Sequence, residues 1–138
     1  MPTTKEFSIE IEDEPGALGE ICSSLADRGV NILAFELTRE GANEGQVRLV
    51  VDNPTTAKSV LDNQNLTYTE TQVAQVKLPH RVGELARAAS KLGEANINID
   101  YAYCGIDAGT NEPLLIFGVA DAGRAVEILD EGAASAKA

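Results

Sequence analysis

The stretch DEPGALGEICSSLADRGVNI at residues 13–32 returns, without a gap, as HRVGELARAASKLGEANINI at residues 80–99. Gly16 falls on Gly83, Leu18 on Leu85, Leu25 on Leu92, Asn31 on Asn98 and Ile32 on Ile99, an offset of 67 residues. A repeat of this length means that one supersecondary unit has been used twice, which constrains the fold before any single element is assigned. The chain has 138 residues, so each copy holds about 65, a size at which a domain buries too little surface to be robust alone. The halves are therefore expected to pack on each other or on a partner. The core must be aliphatic, because hydrophobic residues make up 43% of the chain while aromatics make up 4% and tryptophan is absent.

Each copy reads as the same series of elements. Phe7, Ile9 and Ile11 alternate along a strand. Asp13 is available as an N-cap and Pro15 suits a first helical turn; Leu18, Ile21, Cys22 and Leu25 then recur at helical spacing up to Gly29, a left-handed stop. Strands over 30–37 and 46–51 follow, joined by the turn REGANEG; a helix opens at Asn53-Pro54, and 66–71 reads as a fourth strand. The order is βαββαβ. The second copy repeats it with a strand over 73–78, a helix over 83–94, Asn96 in the place of Gly29, strands over 97–103 and 114–119, and a helix over 123–129. No second fourth strand is visible. Leu66, Tyr68, Ala74, Val76 and Leu78 share one parity, which permits residues 66–78 to run as one strand serving both halves.

The expected class is α+β: two tandem ferredoxin-like units, each an antiparallel sheet with helices on one face. The expected division is residues 1–71 and 72–131, with the small, polar residues 132–138 as a disordered tail. Positions apolar in both copies (7/74, 9/76, 11/78, 30/97 and 32/99) should face the helices. By the same parity Leu33, Phe35 and Leu37, and Leu114 and Ile116, point away from them and form an interface with the other half or a second subunit.

A formal charge of −11 argues against a nucleic-acid partner and against an anionic membrane surface. No signal peptide is visible, the longest apolar run is far too short to span a bilayer, and two cysteines, Cys22 and Cys104, make no disulfide framework, so a cytoplasmic setting is expected. One histidine, His80, and no metal-ligand spacing argue against a metal site or other cofactor. No phosphate loop, dinucleotide glycines or nucleophile elbow is present. Arg81 follows a strand, as the arginine of a phosphate-handling hydrolase on such a fold would, but no glycine-rich run surrounds it. The acidic run Glu10, Glu12, Asp13, Glu14 reads as a solvated face. No enzymatic activity is expected.

The repeated strand–loop–helix can do something else. A helix N-terminus presents unpaired N–H groups and a partial positive charge, which suit a carboxylate. Gly16 and Gly83 lack a Cβ and allow close approach, and the amides of Asn31 and Asn98 both donate and accept. For either stretch alone, ordinary turn chemistry is the stronger reading of the same residues. Arg81 lies in a first helical turn, against the helix dipole; it reads either as an exposed guanidinium solvated by water or as one that meets a carboxylate from a ligand or partner.

The motifs Asp13-x-Pro15-Gly16-x-Leu18 and Gly29-Val30-Asn31-Ile32 resemble those of the ACT domain, a βαββαβ regulatory module of amino-acid metabolism. The resemblance covers nearly the whole chain as two copies; in the second, Val82 replaces the proline, His80 the acidic residue and Asn96 the glycine. It implies a non-catalytic sensor that binds an amino acid or similar metabolite between ACT units, against the loop of one and a strand of its neighbour. The site residues it implies are Asp13, Glu14, Pro15, Gly16, Ala17 and Leu18 with Asn31 and Ile32. Their counterparts are His80, Arg81, Val82, Gly83, Glu84 and Leu85 with Asn98 and Ile99. It also implies a homodimer and a metabolic enzyme as partner. The alternative is a regulatory subunit that acts by pairing, its ligand site partly lost.

Overall fold

The computed structural model describes residues 3–137. The elements in chain order are β1 (Thr3–Glu12), α1 (Ala17–Asp27), β2 (Ile32–Gly41), β3 (Glu44–Val51), α2 (Pro54–Asn63) and β4 (Tyr68–Lys77), then α3 (Glu84–Glu94), β5 (Tyr101–Ile106), β6 (Pro113–Gly118) and α4 (Ala122–Lys137). The chain is α+β. It divides into two compact units, one spanning Lys5–Thr71 and the other built from Gln72 onward with the first few residues. β4 is one uninterrupted strand across that division, as the shared parity allows.

In the first unit β3 lies between β1 and β2, antiparallel to both, with Phe7 opposite Leu49 and Ile9 opposite Val47. The Glu10 N–H donates to the Thr67 carbonyl at 2.9 Å on the other side of β1. Phe7, Ile9, Ile21, Leu25, Val30, Val47, Leu49, Val51, Ala57, Val60 and Leu61 form its core, with Ile11, Leu18 and Ile32 packed against it. In the second unit β6 lies between β4 and β5, again antiparallel. Ala74, Val76, Ala88, Leu92, Phe117, Ala125 and Leu129 are in its core, with Leu78, Ile97 and Ile99 against it. All ten positions that are apolar in both copies thus serve one core or the other, as a two-residue period along strands beneath helices requires.

The outward apolar residues divide differently. Leu114 and Ile116 are on the strand parity opposite Leu115 and Phe117, as expected, and both are fully buried within the chain. Phe35 and Leu37 correct the expectation. A β-bulge between Ile32 and Ala34 shifts the register, so that Phe35 stands opposite Leu49 and Leu37 opposite Val47. Residues directly opposite in an antiparallel pair share a face, and Leu49 and Val47 belong to the core under the helices. The extra residue at a bulge reverses parity beyond it. Phe35 and Leu37 therefore lie on the helix side of β2, where they stay 54% and 46% exposed, while Ala34 and Val50 are buried on the other face and Leu33 is half-buried.

Two more expectations change. Residues 97–100 are not strand, because ladder pairing of β5 begins at Tyr101, although the Asp100 N–H already donates to the Gly118 carbonyl at 2.8 Å. Residues 132–137, expected as a disordered tail, carry helical backbone at the end of α4, in keeping with their alanine content; Ala138 lies outside the described residues. Gly29 (φ 73°) and Asn96 (φ 60°) do occupy matching left-handed stops.

Candidate ligand-binding site

The two repeated loops have nearly the same backbone. Gly16 is the N-cap of α1 at φ 90°, ψ −12°, and Gly83 the N-cap of α3 at φ 89°, ψ −8°. A Cβ on either would meet no atom within 4 Å. Glycine is required here by positive φ, which L side chains disfavour, and within the chain no group presses close. Neither helix has a side-chain cap. The other two do: Asn53 Oδ1 accepts from the Thr56 N–H and Asp121 Oδ1 from the Arg124 N–H, both at 3.1 Å. The duplicated helices thus start with backbone N–H groups that no side chain satisfies, next to a left-handed glycine.

Asp13 does not cap α1, and Pro15 precedes the helix rather than opening it. The Asp13 carboxylate is held instead by Arg39 of β2, whose Nε donates to Oδ2 at 2.6 Å, and its N–H donates to the Asn43 carbonyl at 3.0 Å. The β2–β3 hairpin, turned by left-handed Asn43 (φ 63°), therefore braces the loop. Beside it lies a cavity of about 770 Å³. Its walls are the end of β1 (Glu10, Ile11, Glu12), the start of α1 (Glu14, Ala17, Glu20, Ile21), the hairpin (Glu40 and residues 43–46) and residues 64–67 after α2. Of the residues expected at a ligand, Glu14 and Ala17 line it; Leu18 and Ile32 pack on the core instead. Sequence reasoning missed Arg39, Asn43 and Gln64, and read Glu10 and Glu12 as mere solvated surface. The signal was the acidic run itself, whose residues are gathered by two elements distant in sequence.

Asn31 is not part of this cavity. Its N–H donates to Asp52 Oδ1 at 2.9 Å, and the adjacent Ile32 pairs with Val51 at the far end of β3 from Gly45. At about 3.4 Å per residue that places Asn31 roughly 20 Å from the hairpin beside Gly16. Within one unit the glycine loop and the Asn-Ile stretch are at opposite ends of the sheet.

The second loop differs in its side chains. Arg81 precedes α3 rather than lying in its first turn, since Gly83 is the N-cap. Its side chain is largely exposed, and its Nη2 is 3.0 Å from Oε1 of the chain's own Glu84, with Arg87 Nη1 3.8 Å from Oε2. Glu84 is almost buried, and Ile99 packs on the second core. The Asn98 amide donates to Asp100 Oδ1 at 3.1 Å. Val82, His80 and Leu85 are exposed. Cys22 is half-buried, and burial pushes its thiol up from the ordinary value; Cys104 is exposed. Among the described residues no three His, Cys, Asp or Glu side chains are placed to hold a metal ion, and no helix is long and apolar enough to cross a membrane.

A family model described as an ACT domain pair matches residues 2–134. A comparison with curated proteins finds no match. Among solved structures, protein BT0572 from Bacteroides thetaiotaomicron is similar, at 26% identity and a TM-score of 0.80 over 94% of this chain and 88% of that one. The ligand-free regulatory subunit of aspartate kinase from Thermus thermophilus is 15% identical, with a TM-score of 0.64 over 94% and 91% of the two chains. That from Thermus flavus is 16% identical, with a TM-score of 0.63 over 95% and 94%. The last two likenesses are of fold.

Proposed function

The chain belongs to the ACT domain pair family, and from that premise we propose that it is a non-catalytic regulatory protein binding an amino acid or similar small metabolite. The observation that carries this reading is the uncapped start of α1 beside a cavity rimmed by glutamates. Unpaired N–H groups at a helix start favour a carboxylate, and carboxylates nearby favour an ammonium; a zwitterion carries both. Arg39 and the Asn43 carbonyl hold the loop in place before a ligand arrives, which lowers the ordering cost of binding. A regulatory signal requires that the ligand bind one arrangement of the units better than another. A homodimer in a cytoplasmic setting, with an enzyme of amino-acid metabolism as the responder, completes the reading.

A second reading is a regulatory subunit that acts by pairing with such an enzyme, its second ligand site lost. The second loop favours it: Arg81 and Arg87 are turned to the chain's own Glu84, and Val82 replaces the proline. Titration calorimetry of the full chain against each standard amino acid separates the two. Binding tighter than about 1 mM by at least one of them, weakened by Glu14→Gln, is expected. No binding by any would remove the sensor reading and leave the pairing one.

A further inference from the structure

The two glycine loops are alike in backbone and opposite in charge. In the alignment of the two repeats Glu14 corresponds to Arg81, Glu20 to Arg87 and Pro15 to Val82. The first loop borders the cavity lined by Glu10, Glu12, Glu14, Glu20, Glu40 and Glu44. The second is a projecting apolar knob, with Val82 at 106% relative exposure and Leu85 at 57%, flanked by Arg81 and Arg87. Glu84 offsets one of those two guanidinium charges, so the knob keeps a net positive charge on a chain of charge −11. The chain leaves both surfaces exposed.

We propose that the knob around Val82 and Leu85 docks against the glutamate-rimmed first loop of a second copy of this chain. The pairing is between unlike loops, which explains the reversal: two copies of the acidic loop would repel, as would two of the basic one. Charge complementarity selects the orientation and speeds encounter, while the desolvated apolar side chains slow dissociation. The proposal goes beyond small-molecule binding: the knob uses the glutamates that the proposed function gives to a ligand's ammonium, so a bound amino acid would compete with it. Association itself needs no amino acid and is measured without one.

Sedimentation velocity on the full chain, without ligand, tests it. The wild-type chain is expected to self-associate, and more weakly as NaCl is raised from about 50 to about 500 mM, where the screening length falls to a few ångströms. Glu14→Arg with Glu20→Arg should raise the dissociation constant about tenfold or more. Arg81→Glu with Arg87→Glu should do the same, and mixing these two variants should restore association, because each new contact is again between opposite charges. Since that second variant also disturbs Glu84, Val82→Ser provides a knob-side change that touches no ion pair and should weaken association while circular dichroism stays unchanged. A wild-type chain that remains monomeric at millimolar concentration would overturn the proposal. So would association indifferent to both Glu14→Arg/Glu20→Arg and Val82→Ser. Loss of amino-acid binding alone leaves these results untouched.

Discussion

Replacing Gly16 by alanine separates two reasons for a glycine that a sequence cannot tell apart. At φ 90° and ψ −12° a Cβ is strained by its own backbone, yet it would meet nothing within 4 Å. The left-handed conformation costs an L residue about 1–2 kcal/mol. Alanine's smaller unfolded-state entropy offsets about 0.4–1 kcal/mol of this. The net loss is therefore about 1 kcal/mol. With a urea dependence of about 1–3 kcal/mol per molar, the midpoint should fall by roughly 0.3–1 M. Gly83→Ala should do the same, because its φ is 89° and its surroundings are equally open. Gly16→Asn should lose less, since asparagine tolerates positive φ and already holds four such positions among the described residues. Urea titration followed by far-ultraviolet circular dichroism reads all three. An unchanged or raised midpoint for both alanine variants would refute a conformational role, and a loss above about 3 kcal/mol would mean a steric clash that the open space denies.

Tyr68 donates to Asp62 Oδ1 at 2.5 Å, and this bond, with burial and the charges of Asp62 and Glu70, pushes its hydroxyl from 10.0 up to about 12. Because the folded value is the higher one, the stabilisation is complete below pH 10 and is lost as pH rises towards about 12. Absorbance titration should show a late-ionising tyrosine, and Asp62→Asn should bring it down; no change would contradict the assignment. Gly118→Ala would drive a Cβ into the Tyr101 ring, so the ring must leave its stack on Tyr103. A loss of about 1–3 kcal/mol and of near-ultraviolet dichroism is expected, and retention of both would show that the ring does not lie there. Leu25→Ala and Leu92→Ala, matched positions with no exposure, should each cost about 2–5 kcal/mol in urea titration. A cost below 1 kcal/mol at either would mean that its core is not packed as described.

Much of the fold was legible because it rests on short-range rules. The alternation of Phe7, Ile9 and Ile11, and of Ala74, Val76 and Leu78, needs only the two-residue period of a strand to place those side chains on the cores. Gly29 and Asn96 are readable as left-handed stops from residue chemistry alone. Phe35 and Leu37 were misread for the same reason: parity holds only until a bulge, and nothing in ILAFEL announces one. The role of Arg81 was half legible. A carboxylate was one of its two readings, but whether Glu84, three residues on, would turn inward depended on how α3 seats against its sheet.

The chain's residues by themselves determined that there would be two copies of one unit, which positions would be apolar inside each, and where glycine would be needed to turn into a helix. Those outcomes depend on neighbours within a few residues, where steric limits and periodicity act directly. Tertiary structure decided that Asp13 would be held by Arg39, that glutamates from β1, α1 and the β2–β3 hairpin would share one cavity, and that Asn31 would stand about 20 Å away from it. Each of these joins residues tens of positions apart, and only strand register, itself altered by a single bulged residue, fixes which of them meet.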